Sequence, residues 1–117
     1  MYRYEDAIKL LTDRFAEMER IYLSEEEFYV GLPYIMYGPE FVPYIMQQLR
    51  SKNTEELRRI FNFIEDMLEN GDKGVDELIY IAVLESLFFE EDFRRLKPTI
   101  EHLFGELTIK EFNTFDF

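Results

Sequence analysis

One segment constrains this chain more than any other. Residues 73–90 are apolar nearly all the way round, through Val75, Leu78, Ile79, Ile81, Ala82, Val83, Leu84, Leu87, Phe88 and Phe89. The inner run 78–84 is β-branched enough to suit a buried strand. Length decides for a helix, because the pattern persists for about sixteen residues without a turn signal, longer than strands usually run. A helix that is hydrophobic on every side is packed on several sides. The rest of the chain therefore has to supply the helices that wall it in.

The neighbouring segments carry the patterns such walls need. Residues 55–70 place Leu57, Ile60, Phe61, Ile64, Met67 and Leu68 on one stripe. Arg58, Asn62, Glu65, Asp66 and Glu69 fall on the outer face, within an arc of roughly 100°. Thr54 is the expected N-cap, Asn70-Gly71 the expected left-handed C-cap, and Asp72 the cap of the following helix. The short turn makes the pair an αα-hairpin. Residues 4–23 read as one uninterrupted helix, with Ile8, Leu11, Phe15, Met18 and Tyr22 recurring every three or four positions. After it, Ser24 and Glu27 have capping-box spacing, and Gly31 and Pro33 stop any long helix. A turn begun by Pro33 ends at Gly38, and Pro39 opens a helix that reaches about Ser51. A last helix starts near Glu91, offset by Pro98 and stopped by Gly105. The tail 106–117, with Ile109, Phe112, Phe115 and Phe117, either docks on the bundle or offers an exposed strip. These readings give an all-α, single-domain irregular bundle of about five helices over residues 1–117, with stacked HEAT-like αα-hairpins as the variant. No sequence repeat establishes the variant.

Charge is unevenly spread along that frame. The net charge is −12, which opposes nucleic-acid phosphate and anionic lipid and attracts a basic protein. Residues 1–53 carry nine acids and six bases, and residues 54–117 carry sixteen and seven. Within 60–92 there are ten acids, opposed only by Lys73. The longest apolar run is seven residues, far short of the ~20 a membrane helix needs. The N-terminus meets charge at once and has no apolar core of the kind a signal peptide carries. A cytoplasmic protein without membrane or nucleic-acid partners is expected.

Catalytic chemistry finds little to work with. The absence of cysteine removes thiolate nucleophiles and thiolate metal sites. His102 is the only histidine, and it follows Thr99 where a di-iron Glu-x-x-His unit needs a Glu. Gly71-Asp72-Lys73-Gly74 lacks phosphate-loop spacing. Glu25-Glu26-Glu27 and Glu90-Glu91-Asp92 lack the glycine and alternate oxygens of a calcium loop. Glu65 and Glu69 are helical neighbours on a polar face, unlike carboxylates converging across a cleft. Glu85, set among apolar positions, would be a tie between helices if buried. No catalytic residue, metal site or cofactor is expected. Binding falls to the acids Glu65, Asp66, Glu69, Asp72, Asp76 and Glu77, with Tyr34, Tyr37 and Tyr44 as aromatic anchors. Tyrosines and methionines between Tyr29 and Met46 either line an interface or roof the core.

The hairpin Glu55-Glu56-Leu57-Arg58-Arg59-Ile60-Phe61-Asn62-Phe63-Ile64-Glu65-Asp66-Met67-Leu68, followed by Gly71-Asp72, Val75 and Leu84-Glu85-Ser86-Leu87, resembles small helical bacterial immunity proteins. These are the partners of polymorphic secreted toxins, including those of contact-dependent growth inhibition. The resemblance implies a protein that neutralises a toxin domain encoded by an adjacent gene, and it transfers no binding residue. It agrees with the charge argument, since a nuclease toxin is basic and clustered carboxylates accelerate its capture. The other functional classes are a HEAT-like regulatory or scaffold domain for an endogenous protein, and an inhibitor that mimics nucleic acid.

Overall fold

The apolar stripes become helices, but more of them than the sequence suggests. The computed structural model describes residues 1–115, among which there are eight helices and no strand. They begin with α1 (Ala7–Arg14), α2 (Ala16–Ser24) and α3 (Glu26–Tyr29). In α4, Pro33–Ile35 continues through a π-helical stretch, Met36–Glu40, into Phe41–Arg50. Next is α5 (Thr54–Asn70). Then α6 joins Lys73–Leu78, a second π-helical stretch Ile79–Glu85, and Ser86–Phe89. Finally α7 (Glu91–Ile100) ends in a 3-10 turn, Glu101–Leu103, and α8 (Glu106–Phe112) follows. The radius of gyration, 13.4 Å, is that of a compact chain, about 13 Å for 100 residues.

The expected first helix is two. Phe15, between α1 and α2, is extended at φ −129°, ψ 108°, with no Gly or Pro to cause it. Tertiary packing overrides local propensity here. The extended backbone drops the Phe15 ring into a cluster with Phe41 (5.2 Å), Phe63 (5.3 Å) and Tyr44 (6.4 Å). Arg59 closes the break from outside, its guanidinium 5.1 Å from the Phe15 ring and its Nη2 donating to the Arg14 carbonyl at 2.5 Å.

Pro33 starts α4 as a first-turn proline should, but the helix does not stop at Gly38. Pro39 has no N–H for the Ile35 carbonyl, and its ring would clash there in a regular α-turn. The wider π turn takes it in without ending the helix. Ser24 is no capping box: it lies inside α2, and its hydroxyl donates to the Ile21 carbonyl at 2.6 Å. Likewise Asn53, not Thr54, caps α5, accepting from the Glu56 N–H at 3.3 Å. Pro98 stays within α7 without breaking it.

Gly71 also departs from expectation. It is extended (φ −82°, ψ 155°) instead of left-handed, and glycine is needed because a Cβ would overlap Val75 and the Met67 carbonyl. Its extended backbone lets the N-terminus pair beside it, Tyr2 N–H donating to Asn70 O (2.6 Å) and Asp72 N–H to Tyr2 O (2.8 Å).

As expected, α6 is the central helix. Val75, Leu78, Ile79, Val83, Leu84 and Leu87 are fully buried, each burial contributing roughly 1.5–3 kcal/mol against exposure. Its π stretch packs on that of α4, with Gly38 opposite the Ala82 carbonyl. The tail docks: Phe112 is buried against Phe93 (5.4 Å) and Phe104 (5.2 Å). Phe117 lies outside the described residues. Among the described residues, no helix is long and apolar enough to cross a membrane.

Candidate functional site

Three of the six acids expected to face a partner are engaged inside the fold instead. Glu65 leaves α5 to cap α8, accepting from Leu107 N–H (3.0 Å), Thr108 N–H (2.9 Å) and the Thr108 hydroxyl (2.9 Å). Gly105 makes this possible, because a Cβ there would overlap the Glu65 carboxyl group. Asp66 accepts from Tyr2 Oη (2.7 Å), Arg14 Nη2 (3.0 Å) and Asn70 Nδ2 (2.7 Å). Burial opposes its charge, but those hydrogen bonds outweigh it and hold the carboxyl below its usual range. Asp72 caps α6 as expected, accepting from Val75 N–H at 2.9 Å, and also takes the Tyr4 N–H at 3.1 Å. Its carboxyl is lowered first by the Val75 bond. These three bind parts of this chain to one another.

The tyrosines divide similarly. Tyr37 is fully buried, its hydroxyl donating to the Ala7 carbonyl at 2.6 Å, so it is no anchor for a partner. Tyr44 is half-buried and donates to Glu56. Tyr29 is buried and bonded to Glu40 (2.7 Å), a bond that, with burial, pushes its phenol up to about 12. Met36, Phe41 and Met46 are core. The Tyr and Met stretch thus roofs the core, and only Tyr34 of the proposed anchors is exposed. Its phenol is raised first by burial, then by Tyr4 and Glu77.

What stays open is a groove of about 670 Å³ between α5, α6 and α8. Asp76, Glu77 and Glu85 line it from α6 and Glu111 from α8, while Leu68, Ile81 and Leu107 give it an apolar floor. No basic side chain lines it. Asp76 is raised from its usual value, first by burial and then by the charges of Glu111 and Asp72, and among the described residues it forms no ion pair. Glu85, the expected helix tie, is half-buried in the groove wall. Glu69 is exposed nearby on α5.

The groove also shows what the sequence concealed. On α6, Glu77, Ile81 and Glu85 recur at four-residue spacing, and Asp76 and Tyr80 do the same one step away. That polar seam in an apolar helix was the available signal. Glu111 carries none, because only the docking of α8 brings it across.

His102 is exposed in the 3-10 turn. Among the described residues, no group of three or more Asp, Glu, His or Cys is placed to hold a metal ion. The groove offers charge and apolar surface.

Residues 8–116 match DUF7674, described as a domain of unknown function. The chain belongs to the DUF7674 family. In this DUF7674 chain the match takes in every helix except the start of α1. No curated protein and no solved structure matches it.

Proposed function

We propose that this chain is a binding protein that captures a basic protein partner through the α5–α6–α8 groove. Its best-fitting role is an immunity protein that neutralises a nuclease toxin in the cytoplasm. The observation carrying this reading is a groove with four carboxylates, an apolar floor and no lining base. A nuclease domain must present cations to phosphate. Carboxylates held in a concave, partly apolar site attract such a surface and occlude it once bound. Capture, not catalysis, is the activity.

Four acids gather at one concave groove with an apolar floor, which favours a basic protein over mimicry of nucleic acid, where carboxylates would run along an elongated face. A HEAT-like scaffold for an endogenous protein has one support, the two-residue link between α5 and α6. The deciding experiment mixes the full chain with the toxin domain encoded beside its gene. A stoichiometric complex and loss of nucleic-acid cleavage are expected. A chain that neither binds nor inhibits that domain overturns the immunity reading.

A further inference from the structure

Apart from the groove, the chain exposes a second surface at the α2–α3 corner. Leu23 (60%), Phe28 (54%) and Val30 (61%) form a ridge mostly open to solvent, and Leu32 and Tyr34, further along the chain, are exposed as well. Leu23, Phe28 and Val30 border a cleft of about 930 Å³ whose wall also holds Glu25, Glu26 and Glu27. Exposed apolar residues grouped around one cleft are the kind of surface that marks an interaction site.

The charge around the ridge narrows what covers it. No Lys or Arg occurs from residue 21 to residue 49. Glu25, Glu26 and Glu27 are exposed, and their carboxylates make no hydrogen bond or ion pair among the described residues. A two-fold contact centred on the ridge would bring these acids close to their equivalents without a base in the segment to answer them. Anionic lipid meets the same repulsion. We infer that the ridge is the apolar anchor for a cationic protein segment, whose aliphatic or aromatic residue enters the cleft between Leu23, Phe28 and Val30 while flanking Lys or Arg side chains meet Glu25–Glu27. The inference rests on the reading that the chain binds a basic protein, and adds where the apolar part of that partner seats.

The test titrates the isotope-labelled full chain with a short Lys/Leu amphipathic peptide and with an all-Lys peptide of equal charge, following backbone amide shifts. The Lys/Leu peptide is expected to shift residues 23–34 saturably, and the all-Lys peptide to bind far more weakly there. Phe28→Ser with Val30→Ser is expected to weaken the Lys/Leu peptide at least about tenfold, the size of a lost apolar anchor, without changing the melting temperature. Should the double variant fail to fold, Phe28→Leu with Val30→Thr replaces it. Saturable shifts confined to the α6–α8 groove overturn the ridge and leave the basic-partner reading standing. Absence of saturable binding by either peptide overturns both. Dimerisation through the ridge by sedimentation, or binding to phosphatidylglycerol vesicles that the double variant abolishes, also overturns it.

Discussion

Lys52 sits in the left-handed region at φ 59°, where an L side chain is strained. Its N–H donates to the Leu49 carbonyl (3.2 Å) and that of Asn53 to the Gln48 carbonyl (3.0 Å), a double closure of α4 in which glycine usually holds this position. Glycine there relieves the strain and adds freedom to the unfolded chain, two effects of opposite sign. The strain is the larger, so Lys52→Gly is expected to raise stability by about 0.5–1 kcal/mol in urea unfolding. A loss would mean that the lysine side chain holds the turn. Glu65 is the opposite case, because its removal leaves two N–H groups and the buried Thr108 hydroxyl without their acceptor. Glu65→Ala is expected to cost about 2–3 kcal/mol, with faster hydrogen exchange at residues 106–112. Unchanged exchange there would show that α8 docks by its aromatic face alone.

At the scale of elements, α6 illustrates what patterning can and cannot specify. Its all-round apolar character does make it central, and the stripe of α5 does bury. The outward seam of α6 was harder to read, since Ile81 belongs to the apolar count yet is 45% exposed in the groove. Phe15 hid its break because the aromatic cluster that draws it in is assembled from α4 and α5, remote in sequence. Glu65 was indistinguishable from Glu69 on a wheel, and only Gly105, forty residues on, frees the space it occupies. The crowding of Asp76 has a testable sign. A carboxyl raised in the folded state binds its proton more readily folded than unfolded, so ionisation costs stability at neutral pH. Asp76→Asn is expected to raise the melting temperature at pH 7. That gain should shrink as pH falls through the raised pKa and vanish below the unfolded value of about 3.9. The part of the gain that comes from the charges of Glu111 and Asp72 should also shrink with salt. Asp66 has the reverse sign: it is lowered, so its contribution is present above the unfolded value and lost as pH falls through the folded one. A gain for Asp76→Asn that persisted at pH 3 would place its origin in packing.

For the whole molecule, net charge and local field make different predictions about association. A charge of −12 attracts any basic protein, but beyond about 8 Å physiological salt screens most of that attraction. Carboxylates gathered in a groove act at contact distance, so their effect survives screening better and depends on position. Two variants separate these contributions. One neutralises Asp76, Glu77, Glu85 and Glu111 to Asn or Gln; the other neutralises Asp6, Glu19, Glu55 and Glu91, exposed acids outside the groove. Both raise the net charge by the same amount. With a basic partner protein in stopped flow, the groove variant is expected to associate about tenfold or more slowly at low salt and to lose most of the salt dependence, in line with the range of electrostatic steering. The second variant should slow by only a few-fold and keep the salt slope. Equal slowing by the two would mean that the overall charge steers the partner and that the groove has no special part in its capture.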